Sequence, residues 1–221
     1  KNETRMKKRL FLLFFAAFLP TIAQLLAYSF QSYASGLFIR LLFHLIIPVL
    51  AVSYFTHLSL KDAFLLPLHF RRRKEVVFLS ILCSIATMGI IVSAFIIFRN
   101  FFNFTDIAGS LNYSLDVRTY FFVASVIVLI NPFMEEYFWR GFVFRVFDKY
   151  WTGYWTGVLF SFHHSLIIFN WFKWREFFIV LLFLSVIGIF FNWLYKRTGS
   201  IYASLIIHTV AAFTSVIIGW I

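Results

Sequence analysis

Two adjacent carboxylates, Glu135 and Glu136, followed closely by Arg140, stand between the apolar runs FFVASVIVLI (121–130) and GVLFSFHHSLIIF (157–169). An Asp, Lys or Arg at the centre of a membrane helix costs about 2.5–3.5 kcal/mol, so ionisable groups in such surroundings mark functional sites by default. This pair is two of only nine acidic residues in the chain. On a helix, Glu136 and Arg140 are four residues apart and share a face, so they can pair. Glu135 is turned about 100° away and is left to face something else. Two further polar positions fall at membrane depth, His163-His164 in the second run and His208 in the last apolar run. Glu135, His164 and His208 come from three segments that a helix bundle can bring together around a wet cavity. A desolvated carboxylate can act as general base on a water. A histidine can then donate to the developing oxyanion or the leaving group. The same three side chains also form an alternative set of zinc ligands.

Composition determines the elements that must position these groups. The 221 residues are 62% hydrophobic and only 13% charged, with a mean hydropathy of +0.86. A soluble domain needs far more polar surface, so the chain reads as an all-α, polytopic membrane helix bundle. It forms one membrane domain, with N-terminal spans and an interfacial segment over 1–118 and the spans carrying the site over 119–221. About seven transmembrane helices are expected: 10–30, 37–58, 76–98, a long fourth element from Thr119 to about Asp148, 153–171, 177–195 and 201–221. Pro20 should kink the first, and Pro132 should bend or break the fourth just before the carboxylates. The stretch around KDAFLLPLHF is too short to cross and reads as interfacial.

The net charge of +11 sits mainly in short segments between apolar runs, where it sets topology and meets anionic headgroups; nucleic acid is not an expected partner. The Lys and Arg bias puts the start, Arg71–Lys74, Arg140–Lys149 and Lys196–Arg197 on one side, giving a cytoplasmic N-terminus and a cavity facing the cytoplasm. The single cysteine, Cys83, lies inside an apolar run and reads as a small buried hydrophobe.

The order of these motifs resembles the CAAX protease and bacteriocin-processing (CPBP, or Abi) family of intramembrane proteases. Glu135-Glu136-Tyr-Phe-Trp-Arg140-Gly141 resembles its EExxxRG motif, and Phe160-Ser-Phe-His-His164 its Phe-x-x-x-His motif. Thr198-Gly-Ser-Ile201 followed by His208 resembles its last motif. The resemblance covers about 129–213. It implies an intramembrane endopeptidase of glutamate type, without a metal cofactor, in which Glu135 activates water and His164 and His208 assist. Glu136, Arg140, Phe160 and Asn192 are supporting residues. The implied substrate is a membrane-embedded, prenylated or hydrophobic peptide, and the implied location is the bacterial inner or plasma membrane. Family members often carry Asn or Asp four residues after the last histidine. Here that position is Ala212, so Thr209 or Asn192 would have to supply the missing oxyanion donor.

Other readings compete. Taken alone, Glu136–Arg140 is as well explained by a structural ion pair. His163 reads as packing beside the site. His44, His57 and His69 read as residues near span ends or in the interfacial stretch. Asn192 reads as a helix–helix hydrogen bond. A non-catalytic membrane scaffold or immunity protein of the same fold is the alternative function. A proton-coupled carrier lacks the inverted repeats of that class.

Overall fold

In the computed structural model the described residues are 33–70, 72–98, 124–145, 152–168 and 173–220, together with Phe18, Thr21, Ile22 and Leu26. The expected first span and the 99–118 loop therefore lie outside, or almost wholly outside, the described residues. Those described fold into helices without strands. Helix α1 occupies 33–56, and α2 spans Leu60–Leu65 with a 3-10 turn at Leu66–Leu68. Then come α3 (Arg73–Phe98), α4 (126–144), α5 (Thr152–Ile168), α6 (Trp174–Thr198) and α7 (Tyr202–Trp220). Three stretches are long and apolar enough to cross a membrane, Leu37–Tyr54, Arg73–Ile97 and Trp174–Thr198, and Tyr202–Ile218 is a shorter apolar helix. The chain is an integral membrane protein.

Two prolines shape the bundle. Helix α1 contains a π-helical turn at Leu42–Ile46, and α4 opens with one at Val126–Ile130. Each is followed at once by an α-helical segment whose first turn holds a proline, Pro48 or Pro132. Proline has no N–H for the carbonyl four residues back, and its ring crowds that carbonyl. The turn before it widens, as π-type turns do. The helix is therefore not broken at Pro132, as the sequence suggested it could be. It changes winding and continues through Asn131–Glu136 into a second π-helical stretch, Tyr137–Phe144.

Local signals end the other elements. His57 closes α1 in the left-handed region. Ser59 caps α2, its hydroxyl accepting the Asp62 N–H at 3.1 Å. Gly199 ends α6 at φ 68°, a conformation glycine adopts without cost, and its N–H donates to the Tyr195 carbonyl. Thr198 seals the turn, its hydroxyl lying 2.8 Å from the Leu194 carbonyl and 3.0 Å from that of Ser200.

The core lies around α4. All eight residues from Tyr137 to Phe144 are buried. The amphipathic segment is pinned beneath them: the Tyr137 hydroxyl is 3.2 Å from the carbonyls of both Ala63 and Phe64, and Gly141 packs so closely on Pro67 that a Cβ there would meet its ring at 2.9 Å. The Ile201 N–H reaches the Pro67 carbonyl at 3.3 Å, tying the α6–α7 turn to the same segment. Helices α5 and α6 cross at Gly157 and Gly188, where a Cβ on either would meet the other's backbone at 2.4 Å. Arg197 reaches Glu75 at 3.3 Å and Arg145 reaches Tyr195 at 3.5 Å. The start of α3 and the ends of α4 and α6 thus share one end of the bundle, as the basic-residue bias requires.

Candidate active site

The site is built on the first α-helical turn and a half of α4. Glu135 and Glu136 are 3% and 0% exposed and point to different neighbours. Glu136 Oε1 accepts from Arg140 Nη1 at 3.0 Å, the expected pairing four residues on. The same oxygen lies 3.0 Å from His208 Nδ1. A carboxylate only accepts, so His208 carries its proton on Nδ1 and donates it there. Arg140 is fully buried and bonded through both terminal nitrogens, while its Nε has no hydrogen-bond partner among the described residues. Nη2 donates to the Gly188 carbonyl at 3.1 Å, and its guanidinium carbon stands 4.7 Å from the Phe160 ring centroid and 5.1 Å from that of Phe191. The tight Gly157–Gly188 crossing brings that carbonyl within reach.

Glu135 faces the histidines. His164 Nε2 is 3.4 Å from Oε2, and His208 Nε2 is 3.7 Å from the same oxygen. His163 Nε2 is 3.8 Å from the other oxygen, Oε1. The sequence placed His163 as packing beside the site, yet both neighbours on α5 reach this carboxylate because it presents two oxygens. The His164 ring packs on Phe160 with centroids 4.5 Å apart. Its Nδ1 donates to the Phe160 carbonyl at 2.9 Å, so the four-residue spacing of Phe160 and His164 fixes the ring and leaves Nε2 towards Glu135. Oε2 is buried and has no hydrogen-bond partner among the described residues.

Two residues of α1 stand behind this cluster, and neither was identified from the sequence. Arg40 Nη1 donates to Asn131 Oδ1 at 2.6 Å, and Asn131 Nδ2 donates to Glu135 Oε1 at 2.6 Å. His44, expected near a span end, is buried with its ring 5.5 Å from His163 and 5.4 Å from Phe138. An arginine and a histidine one turn apart near the start of an apolar stretch were the available signal. These partners lie between 91 residues (Arg40 to Asn131) and 119 residues (His44 to His163) along the chain, and spacing gives no hint of them.

Asn192 is buried on α6 and donates to the Thr156 hydroxyl at 2.9 Å, the helix–helix bond expected of it. Thr209 lines an apolar groove of about 420 Å³ between α4 and α7 with Leu129, Phe133, Leu205, Ile206 and Val210. Ala212 lies half-buried one turn beyond His208. His57 and His69 are exposed. The group able to hold a metal ion among the described residues is Glu135, His163 and His164, with donor atoms within 4.8 Å of one another. It differs from the set expected from the sequence in having His163 in place of His208.

The arrangement is a buried carboxylate with one oxygen anchored and the other turned to two imidazoles whose outer nitrogens are fixed. It can take a proton from a small molecule held beside Oε2 and stabilise negative charge next to it. No similar protein was found among curated proteins, and no similar solved structure. Residues 117–214 match the family model described as type II CAAX prenyl endopeptidase Rce1-like, a stretch that contains Glu135, Glu136, Arg140, all the histidines facing them, and neither Arg40 nor His44. Over that stretch, a little under half of the chain, the sequence is similar to the Rce1-like family of type II CAAX prenyl endopeptidases.

Proposed function

We propose that this protein is a glutamate-dependent intramembrane endopeptidase that cleaves a prenylated, membrane-anchored peptide near its C-terminus. The observation that carries the reading is the pair of imidazole nitrogens at 3.4 and 3.7 Å from one oxygen of Glu135, Oε2, whose partner oxygen is engaged by Asn131. In the proposed step Glu135 Oε2 takes a proton from water while the water oxygen bonds to the scissile carbonyl carbon. His164 is the group that orients the water: its Nδ1–H is committed to the Phe160 carbonyl, so Nε2 accepts. His208 balances the oxyanion, because Glu136 holds its Nδ1–H and supports positive charge on the ring. Collapse breaks the C–N bond, and the proton on Glu135 passes to the leaving amine. The products are a shortened peptide with a new carboxylate and a released amine-ended fragment.

The apolar groove beside His208 favours a substrate that arrives sideways from the bilayer with a lipid chain attached, in keeping with the family's prenyl endopeptidase name. The test is hydrolysis, by purified protein in liposomes, of a fluorogenic peptide bearing a farnesylated cysteine near its C-terminus. Glu135→Gln should lower turnover by about 10⁴-fold or more, as loss of a unit-acting catalytic group does, and His208→Ala should follow it. An active Glu135→Gln protein would end the glutamate mechanism. Equal cleavage of the unfarnesylated peptide would end the substrate assignment.

Glu135, His163 and His164 are also a donor set that suits zinc, which would polarise the carbonyl and the water. Strong chelation of the purified protein separates the readings. Undiminished turnover is the result expected here, and loss restored by added zinc would favour the metal reading.

A further inference from the structure

The terminal nitrogens of the buried Arg140 go to Glu136 and the Gly188 carbonyl, and two aromatic rings cover its guanidinium. A second arginine near the site is not explained in that way. Arg40 lies in α1, in the apolar stretch Leu37–Tyr54, outside the residues that match the family. An arginine near a membrane-helix end ordinarily extends its head towards the interface. This one turns inward and donates to Asn131 Oδ1 at 2.6 Å.

That contact determines what Asn131 does. A guanidinium can only donate and a carboxylate can only accept. With Arg40 on one side and Glu135 on the other, the amide has one orientation: Oδ1 to Arg40, Nδ2 to Glu135 Oε1. Without Arg40 the amide oxygen loses its donor, the amide is held from one end only, and the anchor on Oε1 loosens. The groups facing Glu135 from the packed helices are Asn131 on its own helix, His163 and His164 on α5 and His208 on α7. Arg40 is the cation reaching it from α1.

We propose that Arg40, acting through Asn131, is a positioning residue that holds Glu135 by Oε1 and so turns Oε2 to the water and to His164 and His208. This rests on the reading of Glu135 as the base. The relay places the N-terminal part of the chain inside the reaction, since without α1 the carboxylate loses the partner that sets its rotation.

The experiment is steady-state hydrolysis of the farnesylated peptide by Arg40→Met, Asn131→Ala, their double variant, Arg40→Lys and Glu135→Gln, with thermal unfolding of each in the same detergent. Asn131→Ala and Arg40→Met should each lower kcat by about 10–100-fold, the scale of a misplaced catalytic group, with KM within about twofold. The double variant should be no worse than the poorer single one, because both act along one path. Arg40→Lys, which keeps a cationic donor, should recover part of the loss. Multiplying losses in the double variant, or kcat unchanged in Asn131→Ala, would overturn the relay while an inactive Glu135→Gln leaves the base in place. An active Glu135→Gln would remove both. If Arg40→Met does not fold, Asn131→Ala against Asn131→Ser, which can still donate, decides: equal losses in the two overturn the proposal.

Discussion

Helices α3 and α4 invert the usual relation between hydropathy and burial. Helix α3 runs 26 residues with no charge beyond its first turn, yet Phe78, Ile81 and Ile85 are 64%, 58% and 61% exposed. In α4 the stretch with Arg140 at its centre is buried at every position. In water that would be an expensive exchange. In a bilayer apolar side chains gain nothing by leaving the lipid, and polar groups lose heavily by entering it. The bundle closes around what lipid cannot solvate. Burial here therefore follows packing around the polar cluster and not hydropathy alone, and the residues that resist substitution should be the charged and close-packed ones.

The largest expected effect comes from Glu136→Gln. It leaves Arg140 buried beside a neutral amide and takes the carboxylate from His208 Nδ1, and should cost about 3–5 kcal/mol, read as a fall in thermal midpoint in detergent. A stability unchanged from wild type would break the comparison at its strongest point. Gly188→Ala comes next. Its Cβ would meet the Gly157 carbonyl oxygen at 2.4 Å, a backbone atom that cannot swing aside. The α5–α6 crossing must widen, costing about 1–3 kcal/mol and drawing the Gly188 carbonyl from Arg140; equal midpoints for variant and wild type would contradict that packing. Ile81→Ala and Ile85→Ala on α3 sharpen the contrast from the other side. Each should stay within about 0.5 kcal/mol, and a loss of several kcal/mol from either would show that this face of α3 packs against something besides lipid.

The membrane class, the helical elements from the second span onward and the Glu136–Arg140 pair were legible in the sequence, because composition and four-residue spacing are local properties. Asn131 and Glu135 are also four residues apart, but Pro132 between them suggested a broken helix and hid the bond. The widened turn before the proline lets the helix continue and preserves that spacing. His163 was set aside because the Phe-x-x-x-His spacing selects His164, and that spacing overlooks a partner with two acceptor oxygens. Arg40 and His44 were beyond reach for a different reason. Their partners lie on α4 and α5, and only the folded bundle joins them.

The two acidic side chains of α4 each find a partner for one oxygen within their own helix, Glu135 in Asn131 and Glu136 in Arg140. This matters during synthesis, when a segment must leave the translocation channel before the helices that follow it exist. A helix that brings its own partners crosses with its net charge already reduced by Arg140 and one oxygen of each carboxylate already bonded. His208 and the Gly188 carbonyl arrive later in the chain and convert that provisional arrangement into a site. The pairing that steadies the finished site is thus also the one that eases its costliest helix into the membrane.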